Sequence, residues 1–213
     1  MKTDELVELL SIQVEPVRAT HLGRTLWLSL AVGIGVTVCL MLALFGVPAY
    51  AFGAADLRIQ AVSFLFTLSL VAIGAQLLVT VARPAEPGRK ALLLMGLVFL
   101  VLLAAGLIAL TLSPRTAWHA MLFSPQWSMC LICIPLFALA PFAALIRALR
   151  RAAPTHPALT GATAGIVAAA SGAAIFSCCI PGSSLPFVTV WYGGVILLCA
   201  LAGAVISPWL LRW

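Results

Sequence analysis

Apolar residues in this chain neither alternate nor recur at helical spacing between polar ones; they run on without interruption. Six stretches, at 25–47, 60–82, 91–112, 128–146, 159–178 and 187–211, contain no Asp, Glu, Lys or Arg. Each is near the ~20 residues that a helix needs to cross a ~30 Å hydrocarbon core. Helices satisfy their own backbone in the absence of water, so the pattern predicts an all-α, polytopic membrane protein: a six-transmembrane-helix bundle. What lies between the stretches is too short for a folded soluble domain, which takes at least ~50 residues. The longest remaining piece is residues 1–24, a short N-terminal helical arm ahead of the membrane domain at 25–213. The first stretch does not read as a secretory signal, being too long for an h-region and lacking a small-residue cleavage site in frame.

Charge then gives the topology. Lys and Arg are retained in cytoplasmic loops. Lys2, Arg18, Arg24, Arg83, Arg89, Lys90, Arg147, Arg150, Arg151 and Arg212 fall on one side of a six-span arrangement, and only Arg58 and Arg115 on the other. Both termini are therefore expected in the cytoplasm, and an odd number of spans would destroy the alternation. The net charge of +6 reflects this bias. No basic stripe with interleaved aromatics accompanies it, so nucleic acid is not an expected direct partner. The partner read directly from the composition, 63% hydrophobic and 8% charged, is the lipid bilayer. Trp27, Trp118, Trp127, Trp191, Trp209 and Trp213 lie near span ends, where amphipathic rings anchor at headgroups.

The spans themselves are chemically quiet. An ion-coupled transporter would place ionisable groups within them, and none is present. Gln76 is expected to hydrogen-bond a neighbouring helix. The fifth span carries a stripe of small residues, Gly161, Ala164, Gly165, Ala168, Ala169, Gly172 and Ala173, of the kind that lets helices approach closely. Packing inside the bundle is the expected use, with a homodimer seam as the alternative. Pro135 and Pro141 should disturb the fourth span and free backbone carbonyls.

Two features carry candidate chemistry. The first is the arm, where Thr3 can cap a helix with Asp4 and Glu5 in its first turn. Leu6, Leu9 and Leu10 share a face, and Glu8 adds to the acidic character. An acidic amphipathic helix suits a groove on a basic protein better than an anionic membrane surface. The bland alternative is a frayed lead-in to the first span.

The second feature is the set of six cysteines. Cys39 and Cys199 fall deep in their spans and read as small buried hydrophobes. Cys130 and Cys133 lie near the outer end of the fourth span, and Cys178 and Cys179 at the outer end of the fifth. Two sequence-distant pairs therefore reach the same face of the bilayer, where thiols can pair or bind soft metals. His119, in the loop before the fourth span, is a candidate nitrogen ligand, as Cys133 is a candidate further thiol. Inert packing is the alternative for all of them, and the spacing fixes no metal.

The chain resembles the NrsF-like membrane anti-sigma factors, negative regulators of ECF-type sigma factors in bacteria. The likeness spans its length. It runs through MKTDELVELL at the start, Trp118–His119 ahead of WSMCL at 127–131, RALRRAAPTHPALTGATAG at 147–165, PFVTVWYG at 186–193 and the closing PWLLRW. The resemblance implies an inner-membrane regulator, with no enzymatic activity, small-molecule substrate or obligatory cofactor. Its arm would hold the sigma factor through Thr3, Asp4, Glu5, Leu6, Glu8, Leu9 and Leu10. Two outward cysteines would sense heavy metal or thiol stress through a transient metal ion: Cys130 of Trp-x-x-Cys, with Cys179 or Cys178. Acidic residues are usual after the second cysteine in the family, whereas this chain reads Ile180-Pro181-Gly182-Ser183-Ser184 and is about one residue longer. The choice between Cys178 and Cys179 stays open. Two other classes compete: a quinone-linked thiol oxidoreductase using Cys130-x-x-Cys133, as in DsbB-like enzymes, and a neutral-solute channel.

Overall fold

Apolar runs with no charge to interrupt them fold as helices, and their lengths set how the bundle is built. The computed structural model describes residues 19–46, 57–81, 89–123, 125, 127–150, 156–179 and 184–210. The long helices are α1 (Ala19–Phe45), α2 (Leu57–Val81), α3 (Arg89–Leu112), α5 (Trp127–Arg150), α6 (Pro157–Cys179) and α7 (Leu185–Leu210). A short α4 (Trp118–Leu122) follows a 3-10 turn at Arg115–Ala117. All six long helices are long and apolar enough to cross a membrane, and no strand occurs among the described residues. The arm residues Thr3, Asp4, Glu5, Leu6, Glu8, Leu9 and Leu10 lie outside the described residues.

Helix α6 is the axis of the bundle. Its most apolar window is 72% buried, against 17% for α3. The small-residue stripe explains this position, because side chains no larger than Ala let three neighbours close in. A Cβ built at Gly165 would lie 2.5 Å from the Cys199 carbonyl oxygen on α7, and one at Gly172 would lie 3.0 Å from the Ile134 carbonyl oxygen on α5. On the α2 side, a Cβ at Gly74 would meet Val167 Cγ2 at 2.6 Å. The stripe is thus used up inside the bundle, around α6, as the first of the two sequence expectations held.

Each major contact joins antiparallel helices. Helices α2, α5 and α7 surround α6, α1 packs on α5, and α3 leans on α2 and α7. The α1–α5 crossing centres on Gly33, where a Cβ would lie 2.5 Å from Pro141 Cα. Pro141 has no N–H to give the carbonyl of Phe137 four residues earlier. Thr37 of α1 supplies the missing donor: its hydroxyl reaches Phe137 O at 3.0 Å and its own Gly33 O at 2.9 Å. The expected disturbance by proline is real but is repaired across the interface. Thr37→Val, which keeps the shape and loses the donor, should destabilise the purified protein by about 1 kcal/mol. An unchanged thermal midpoint in detergent would show that Phe137 O needs no partner.

Two expectations about single residues are corrected. Cys39 is exposed on the surface of α1; an unbroken apolar helix gives no periodicity to separate its bundle face from its outer face. Gln76 is exposed as well. The amide that bridges helices is Gln60, at the start of α2, whose Nε2 donates to Ser177 O at 3.2 Å. Trp191, near the start of α7, is half-buried in a ring cluster.

Candidate functional site

The candidate site is the end of the bundle where α5 and α7 begin and α6 finishes. Registers place its cysteines. Gly172 backs onto Ile134–Ala138, and from that crossing Cys130 and Cys178 each lie six residues outward, about 9 Å at 1.5 Å per residue. Both therefore sit at one level. Cys130, Ile134, Phe137, Ala138 and Pro141 are all buried along one face of α5. Cys130 is only 1% exposed and Cys133 7%. On α6, Cys178 is half-buried, and its thiol donates to Ala174 O at 3.5 Å. Cys179 is the last residue of α6; its side chain lies outside the described residues.

The structure thus brings Cys130, Cys133 and Cys178 to the same end, with all three thiols free. It does not bring His119 into a ligand set. That side chain is exposed on α4 and stacks on Phe123, with ring centroids 5.0 Å apart. Among the described residues no three of His, Cys, Asp or Glu gather so as to hold a metal ion. Two-thiolate chemistry is what the described donors can offer.

Around the thiols is a scaffold that sequence reasoning missed. The last carbonyls of a helix have no partner within it, and α4 has these capped from α7. The Ser184 hydroxyl donates to Met121 O at 2.8 Å and accepts from Phe187 N–H at 3.3 Å, while Trp191 Nε1 donates to Leu122 O at 2.8 Å. Trp191 also meets Trp127 at 5.2 Å, Phe123 at 6.2 Å and Phe187 at 6.5 Å between ring centroids. Trp127 stands one turn before Cys130, so the ring cluster abuts the thiol level. Trp191 lies within a π-helical turn, Val188–Tyr192, that interrupts α7. Such turns insert an extra residue and re-aim the side chains near them. The one legible signal was Ser184 ahead of Leu185-Pro186, a helix-start pattern.

At the opposite end, Arg150 Nε donates to Leu210 O at 2.8 Å, closing the last turn of α7. Arg24 and Arg147 stand at that same end. Arg58 and Arg115 are at the cysteine end.

What these features define is a bundle of six helices long and apolar enough to cross a membrane that, among the described residues, gathers free thiols at one end and assembles no metal-binding group of ligands. The chain belongs to the NrsF family, described as negative regulator of sigma F, whose family model matches residues 10–213. It is 29% identical over 216 residues to the anti-sigma-F factor NrsF of Caulobacter vibrioides, with both chains covered completely. It is 27% identical over 219 residues to the probable anti-sigma-F factor NrsF of Azospira oryzae, again over the whole of both. No solved structure matches it significantly.

Proposed function

We propose that this chain is a membrane anti-sigma factor that holds a sigma factor of the ECF type at the cytoplasmic face of the bacterial inner membrane. It releases that factor when thiols at the outer face react. The family and both relatives support the sigma-factor partner. The ten-to-two distribution of basic residues supports the orientation. One observation carries the sensing half of the reading: the thiols lie at the end of the bundle opposite the start of α1, the helix that follows the arm in sequence. Helix α1 starts at the Arg150 end, antiparallel to α5, while Cys130 and Cys178 share a level at the other. A signal between them has to travel the length of the bundle.

The chemistry assigned to the thiols is capture of a soft metal ion. Cys130 and Cys179, or Cys178 in its place, lose their protons to water, and the two thiolates ligate one ion; Cys133 is a further donor within reach on the same helix turn. No electron transfer is needed. Because Cys130 is buried, the helix ends around it have to part for the ion to enter. That couples ligation to a second arrangement of α5 and α7, which then biases how the arm is presented.

The arm is tested directly. Deleting residues 1–14 from the full chain should abolish co-purification of a sigma factor from membranes while the bundle still inserts and purifies. Undiminished co-purification would end the reading of Leu6, Leu9, Leu10 and the acidic residues as the contact surface.

A further inference from the structure

Between α3 and α7, above the ring cluster's inner side, lies a cavity of about 730 Å³ that opens sideways on the bundle surface. Its walls include Gly96, Leu103 and Leu107 of α3 and Val190, Gly193 and Leu197 of α7. Two observations distinguish it from an ordinary groove. Gly193 is buried, yet a Cβ added there would have nothing within 4 Å; the same emptiness holds at Gly194 and Gly96. Other buried glycines, Gly33, Gly74, Gly161, Gly165, Gly172 and Gly203, each meet a neighbouring helix, whereas Gly193 floors an empty slot. The slot is also free of polar demand. Thr189 is the only hydroxyl on its wall, and that hydroxyl is engaged by Leu102 O at 3.2 Å and Leu185 O at 3.0 Å.

Shape selects the occupant. The lining runs from Leu110 to Gly96 on α3 and from Pro186 to Leu197 on α7, roughly 16–21 Å along the helix axes at 1.5 Å per residue. A long, narrow, wholly apolar slot parallel to the helices matches an extended hydrocarbon chain, lying as acyl chains lie in a bilayer.

We propose that this slot is a binding site for one acyl chain of a bilayer phospholipid, which completes the packing of α3, the least integrated helix. The site touches Thr189 and Val190 of the π turn, so its occupant bears on the segment that carries Trp191. This proposal rests on the membrane placement argued above.

The test is photolabelling of the full chain in vesicles of phosphatidylethanolamine and phosphatidylglycerol doped with a phosphatidylcholine carrying a diazirine in mid-chain, with labelled peptides read by mass spectrometry. Labelling of the slot walls on α3 and α7 should exceed labelling of the equally exposed outer face of α1 several-fold. Gly193→Leu, which fills the floor, should bring it down to the α1 level. Gly96→Leu, at an exposed position with open space, should do the same and guards against a folding defect in the first variant. Labelling proportional to exposure on α1, α3 and α7, or labelling unchanged in both variants, overturns the site. Absence of label on every helix would instead count against the membrane placement itself.

Discussion

Replacing Gly165 with alanine should destabilise the purified protein by about 1–3 kcal/mol, the usual cost of forcing an extra carbon into a packed core. The added Cβ would meet the Cys199 carbonyl oxygen at 2.5 Å and Ala200 Cα at 3.1 Å. Both are backbone atoms of α7, so no side chain can swing away and the two helices must separate. The α6–α7 contact is part of what makes α6 the axis, so the loss spreads beyond one pair. Gly35→Ala is the matched control: it lies in α1 with nothing within 4 Å of its Cβ, and alanine there should gain up to about 1 kcal/mol of helix propensity. Thermal unfolding of both variants in the same detergent checks the pair. Equal midpoints would mean that the small-residue stripe does not set the helix spacing.

The second large effect concerns release. Cys130→Ser should leave sigma-factor capture intact and make it insensitive to mercury(II), an ion that joins two thiolates. Moving the arm from 1% to 99% free takes about 5.5 kcal/mol of differential binding. Structural zinc held by thiolate and imidazole ligands in zinc-finger peptides supplies about 10–16 kcal/mol, so losing the Cys130 thiolate, common to either pairing, removes much of the driving force. Serine preserves size at a position that is 1% exposed, which keeps the fold. Cys39→Ser, on the outer surface of α1, should respond as the natural chain does. A sigma-dependent reporter in cells reads both. Full induction in the Cys130→Ser variant would remove Cys130 from the sensing role.

Some of the site was legible in advance because it depended on span order alone. Two cysteine pairs at the start of one span and the end of the next must reach the same end of a serial bundle. The level match of Cys130 with Cys178 needed the crossing at Gly172, which no linear pattern specifies. The cysteine pair was therefore readable and its surroundings were not. Ser184 and Trp191 act on carbonyls of α4, a five-residue helix inside a loop with no apolar period to announce it. The π turn has no composition signature either. His119 stacks on Phe123, a contact that its place in the sequence near the cysteines does not announce.

Composition and the absence of charge determined six long helices, because an uncharged run of some twenty apolar residues has few other ways to satisfy its backbone out of water. The small-residue stripe likewise marked which helix could sit at the centre. Which side of each helix faces inward was decided only by the tertiary structure. Residues apolar all round carry no facing signal, so Cys39 and Gln76 came out exposed. Gln60, Thr37 and Trp191 were recruited across helices to satisfy carbonyls that the chain's own helices leave open.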